Sequence, residues 1–104
     1  MTVDQRRFDR LDLSRLAFAR EGDQAHGGVL RDISLEGAFI EFRYPLGRVE
    51  HQFKQGDAIE LLLDDETLLT GIAIRIETEG IALQFAADDS GQRQVLEALM
   101  AAEA

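Results

Sequence analysis

Arg6, Arg7 and Arg10 cluster near the start of the chain, and Asp32, Ser34 and Gly37 form an Asp-x-Ser-x-x-Gly run about twenty positions later. An arginine guanidinium is a planar fork that donates two parallel hydrogen bonds to a phosphate or to paired ring acceptors, and it can lie flat on a base. Arg6 and Arg10 have the spacing to bring two forks to one anionic ligand. The Asp32 carboxylate only accepts, so it asks for a donor edge. Ser34 either donates to a ligand oxygen or turns inward to satisfy its own bend. Gly37 lets backbone approach a flat group or permits positive φ at the start of the next strand, and the structural reading is the preferred one. An Arg pair alone is weak in a chain with ten arginines among 104 residues. The Asp-x-Ser-x-x-Gly run is much rarer, with about 0.02 chance starts at average residue frequencies.

The elements that must position these residues show a period of two from Leu11 onward, broken by short polar turns. Runs at 11–20, 27–33 and 37–43 are predicted as strands. In the second, Val29, Arg31 and Ile33 fall on one face and Leu30 and Asp32 on the other. Three clearer strands follow. Ile59, Leu61 and Leu63 alternate with Glu60 and Leu62; Ile72, Ile74 and Ile76 alternate with Ala73, Arg75 and Glu77; and Ile81, Leu83 and Phe85 complete the set. Asp64-Asp65-Glu66 and Thr78-Glu79-Gly80 are short enough to make these three an antiparallel meander. Six strands from this length suit a closed barrel, which leaves no exposed edge. The period then changes. Asp89 is an N-cap with Gln92 as capping-box partner, and Val95, Leu96, Leu99 and Met100 recur at helical spacing. Residues 44–55 read as a long loop.

One domain is expected from 104 residues with 45% hydrophobic content. A net charge of -9 speaks against nucleic acid and anionic membranes as bulk partners. Yet Arg6, Arg7, Arg10, Arg15 and Arg20 lie in the first twenty positions, a local anion site on an acidic body. Arg15 and Arg20 are equally well read as solvated strand positions. No apolar stretch approaches the roughly 20 residues of a spanning helix, and Met1 to Arg7 lead into no apolar signal segment. A cytoplasmic location is the expectation, and the lack of cysteine is consistent with a reducing compartment.

The two motifs, in this order and context, resemble the Arg-x-x-x-Arg and Asp/Asn-x-Ser-x-x-Gly signatures of the PilZ domain, a bacterial family of cyclic di-GMP receptors. The resemblance runs the length of the chain and implies an all-β, six-stranded antiparallel PilZ-type barrel with a C-terminal α-helix. It also implies a flexible ligand-binding arm over 1–10, a barrel over 11–86 and a helix over 89–102. Arg6, Arg7 and Arg10 would close over the dinucleotide. Asp32 would accept from N1-H and the exocyclic amine of guanine, an edge that adenine does not offer. Ser34, Gly37 and, on the outward face of the fifth strand, Arg75 complete the expected ligand-binding set, with Arg75 stacking on a base where other members carry an aromatic or bulky residue. Gln5 stands where many members have another basic residue, a position connected in the family with holding one or two nucleotides.

The expected function is that of a second-messenger receptor that binds cyclic di-GMP unchanged and thereby alters a surface for a protein target. Flagellar motor components, polysaccharide synthases and signalling enzymes are the targets the family suggests. The alternative is a PilZ-like adaptor working by protein contact without nucleotide. No catalytic residue is expected: Ser14, Ser34 and Ser90 have no histidine at useful spacing. No metal site is expected either. His26 and His51 are far apart in sequence, each in a predicted exposed loop, and Asp64-Asp65-Glu66 lacks the ligand pattern of a calcium loop and reads as a solvated hairpin tip.

Overall fold

The structure, a computed structural model, describes residues 10–43 and 50–103. Its elements are β1 (Arg10–Glu21), β2 (Gln24–Ser34), β3 (Gly37–Phe42), β4 (Ala58–Leu63), β5 (Leu68–Glu77), β6 (Gly80–Gln84) and α1 (Ser90–Glu103). Every strand pairing is antiparallel, and the sheet closes in the order β1-β2-β3-β6-β5-β4. The expected meander of β4, β5 and β6 is present. What closes the barrel is long-range: β1 pairs with β4 and β3 with β6.

Inward side chains fill the interior as they must in a small barrel. Leu30, Ile40, Leu61, Leu69, Ile81 and Leu83 are fully or almost fully buried. Leu96 and Leu99 of α1 join the same cluster, so the helix packs its apolar stripe on the barrel, while Val95 stays exposed. Asp89 caps the helix as expected, accepting from the Gln92 amide at 3.0 Å. The other half of the capping box is absent. The Gln92 side chain instead accepts from Thr70 N-H and donates to Thr70 C=O, both at 2.8 Å, and so serves as a short surrogate strand on β5 next to the end of β6.

Three register shifts interrupt the strand pairing, and two of them change which residues face inward. Between Leu30 and Asp32 the β2-β3 register slips by one residue, so Leu30 and Ile33 are both buried and the simple alternation expected for β2 fails at Arg31. A shift between Ala73 and Arg75 leaves Ile74 and Arg75 both exposed, and Ala73 rather than Ile72 or Ile74 faces the core. A third lies in β1 between Asp12 and Arg15. A bulge sets two residues against one and turns the strand, and pattern alone does not reveal where it falls.

Candidate functional site

The β1-β2 register puts Arg10 directly opposite Ser34 and Asp12 opposite Asp32. The backbone that carries the end of the arginine run therefore lies beside the β2-β3 turn. Arg10, expected as the last residue of the arm over 1–10, is the first residue of β1; Arg6, Arg7 and the rest of that arm lie outside the described residues, as do residues 44–49 of the long loop.

The turn itself is built by Ser34. Its hydroxyl accepts from the amides of Glu36 at 3.1 Å and Gly37 at 3.2 Å and faces the Gly37 carbonyl at 3.4 Å. At 8% exposure it is the buried polar residue among the described residues, and this turn supplies its partners. Of the two roles its sequence position allowed, bracing the bend is the one seen. Gly37 has a reason that neither sequence reading anticipated. Its φ is not positive; instead, a Cβ there would sit 2.2 Å from the Leu83 carbonyl oxygen, so glycine lets β3 approach β6.

Asp32, Ser34, Gly37, Phe39, Arg75 and Gln84 line one depression of about 250 Å³ on the outer surface of β2, β3, β6 and β5. The shift at Ile74 explains how Arg75 reaches it. Its guanidinium carbon stands 5.6 Å from the centre of the Phe39 ring, and its Nε donates to Glu77 at 3.1 Å. Three expected site residues of one turn and a fourth, Arg75, from a strand far along the chain are thus brought together, with Arg75 as the cation beside the aromatic face of Phe39. Phe39 and Gln84 were not singled out from sequence. The available signal was parity: with Ala38 and Ile40 inward, Phe39 must point out two residues past Gly37.

Other expected anion-site candidates go elsewhere. Arg15 is only 15% exposed and holds Asp64, Asp65 and Glu103, with Asp65 at 3.2 Å and Glu103 at 3.0 Å. Asp64, by its hydrogen bond foremost, and then Asp65 raise the Arg15 pKa above the ordinary arginine value. It clamps the β4-β5 hairpin to the end of α1, so Asp64 and Asp65 form more than a solvated tip. Arg20 pairs with Glu60 on the outer face. The two histidines correct their expected separation: His26 lies in β2, and its ring centre is 6.4 Å from that of His51. Both pack with Phe42 and Phe53 at a second rim, where the His51 ring bonds to Glu77 C=O at 2.6 Å and accepts from Phe53 N-H at 3.2 Å. No group of three metal-ligating side chains occurs among the described residues, and no helix there is long and apolar enough to cross a membrane.

Larger hollows exist, but their chemistry differs. One of about 450 Å³ is lined by Glu21, Asp23 and Glu50 beside His26, a set that repels an anionic ligand. A family model described as PilZ domain matches residues 4–102. The chain belongs to the PilZ domain family. Six antiparallel strands closing into a barrel with one C-terminal helix, among the described residues, agree with that fold. PilZ domains are a receptor family for cyclic di-GMP, some of whose members do not bind nucleotide, and they serve as receptor or adaptor modules rather than catalysts. No curated protein matches this chain in sequence.

Proposed function

We propose that this PilZ domain is a cyclic di-GMP receptor that binds the dinucleotide without altering it, at the rim formed by the start of β1, the β2-β3 turn and the outer face of β5. The observation that carries the reading is the meeting of Asp32, Ser34, Gly37 and Arg75 in one depression, with Arg10 across from Ser34 in the β1-β2 register. In this reading Arg6, Arg7 and Arg10 supply the cationic forks for the two phosphodiesters, and the arm ahead of β1 becomes ordered on the barrel as it closes. Asp32 accepts from the donor edge of a guanine. Ser34 and Gly37 fix the turn that offers this edge its partner, and Arg75 with Phe39 forms a flat cationic and aromatic surface against which a base stacks.

The body of the chain is acidic, so affinity for a dianion must come from local arginines rather than from the overall field. Closure of the arm alters the surface beside the turn, through which the loaded form favours a protein target. Cytoplasmic action on a motor component, a polysaccharide synthase or a signalling enzyme is the setting this reading fits. No membrane insertion and no metal enter into it.

The adaptor reading has one supporting observation: Ser34 and Arg75 already have protein partners. Isothermal titration of the full chain at tens of micromolar with cyclic di-GMP separates the two. Saturable heat that disappears in Arg10→Ala supports the receptor, and absence of heat with the folded wild-type protein supports the adaptor.

A further inference from the structure

Away from the dinucleotide depression, the outer face of β1, β4 and β5 carries large apolar side chains that the barrel does not use. Leu16 is 65% exposed, Phe18 56%, Leu62 42% and Leu68 51%. The registers make them contiguous. Phe18 is paired with Leu62 and Leu62 with Leu68, and Leu16 is the next outward residue along β1. Directly opposed residues of neighbouring strands lie about 5 Å apart at Cβ, so the row is a continuous strip.

Phe18 is held ready. On its other side it is paired with Gly27, and a Cβ at Gly27 would come within 2.9 Å of the Phe18 ring. The ring therefore lies against Gly27 of β2 while more than half of Phe18 stays exposed. An aromatic supported in this way within an apolar patch is the type of side chain that anchors binding at protein interfaces.

The rim says what would cover it. Asp64, Asp65 and Glu66 follow Leu62 at the hairpin that leads to Leu68, and Glu103 stands close by, with Arg15 as the cation among them. On the opposite side Arg20 and Glu60 neutralise one another. A second copy of the chain is a poor occupant. It would bring another charge of -9, and four half-exposed side chains offer on the order of 400 Å², about half the 800 Å² per partner of a standard stable interface. Anionic lipid meets the same repulsion.

We propose that this strip is a docking surface for an amphipathic helical segment of a partner protein, with bulky aliphatic residues along one face and lysine or arginine along its flank. The aliphatic face covers Phe18 and Leu62, and the basic flank meets the Asp64 to Glu66 hairpin. Docking does not depend on the dinucleotide reading, since none of these residues lines that depression.

Fluorescence anisotropy tests this with the full chain and two labelled 18-residue helical peptides, one of leucine and lysine and one of leucine and glutamate in the same pattern. Sedimentation of the protein alone accompanies it. The expected results are saturable binding of the lysine peptide, a loss of about tenfold or more in Phe18→Ser and in Leu68→Ser, binding of the glutamate peptide weaker by at least the same factor, and a monomer in sedimentation. Both variants alter exposed positions, and unchanged thermal midpoints verify that they fold. Equal binding of the lysine peptide by wild type and both variants would overturn the proposal, because charge alone would then account for it. So would equal binding of the two peptides, or a wild-type dimer that Phe18→Ser dissociates, or binding to phosphatidylcholine vesicles that is lost in the same variant.

Discussion

Gly37→Ala would force a methyl group to within 2.2 Å of the Leu83 carbonyl oxygen, and the nearest atoms are all β6 backbone, which has little room to yield. The expected cost is about 1–3 kcal/mol of stability, measured by urea denaturation, because overpacked sites relieve strain only by shifting strands. Ser34→Ala removes a buried hydroxyl that two amides use, and about 1–3 kcal/mol should be lost in the same assay. Arg10→Ala differs in kind. Arg10 begins β1, and its replacement should remove most cyclic di-GMP binding while the thermal midpoint of the unliganded protein changes by no more than about 3 °C. Asp32→Ala should reduce the preference for cyclic di-GMP over cyclic di-AMP more than it reduces total phosphate attraction, as read by parallel titrations. Equal loss for both nucleotides would mean that Asp32 only supports the turn. That Asp32, Ser34 and Gly37 meet at one turn was legible from spacing. The particular job of Gly37 was not, because it depends on Leu83 in a strand 46 positions away.

Among the elements, the β4-β5 hairpin contributes most visibly to the response to acid. Asp65 accepts from the Thr67 hydroxyl and amide and from Arg15, and these bonds hold its pKa down to about 2 from 3.8. A carboxylate whose folded pKa is depressed stabilises the fold fully above its unfolded value, and that contribution fades as pH falls from about 4 towards 2. Glu41, lowered in the same direction by Arg31 first and then Arg43, adds to the acid sensitivity. Thermal midpoints should therefore fall through this window, and Asp65→Asn should flatten the fall while leaving the midpoint at low pH nearly unchanged. An identical slope in the variant would show that the hairpin bonds are too solvent-screened to contribute. The strands and the N-cap could be read from local pattern, since Asp89 and its neighbours carry their own signal. The clamp could not, because Arg15 meets Asp64 and Glu103 across separations of 49 and 88 residues.

For the whole molecule, closure of the barrel decides what is near what. Alternation and turn residues sufficed for six strands and a helix, yet shifts at Arg31 and Ile74 broke the simple alternation of β2 and β5: Ile72 and Ile74 are exposed, while Arg75 keeps the outward position expected of it and lines the same depression as Asp32. The same closure brought His26 to His51 at the second rim. Conversely, Leu16 and Phe18 look in sequence like core residues of β1, whereas Ala17 and Ala19 occupy the interior, because a small barrel has room for only small side chains on part of its inner wall. The central claim is that the arginine run and the Asp32 to Gly37 turn converge on one dinucleotide. A proton-nitrogen NMR titration of the full chain with cyclic di-GMP tests it most directly. Saturable shifts are expected at the amides of residues 6–10, 32–37 and 75, with the His26 and His51 rim unmoved. Saturation that leaves either the arginine run or the turn unperturbed would contradict it.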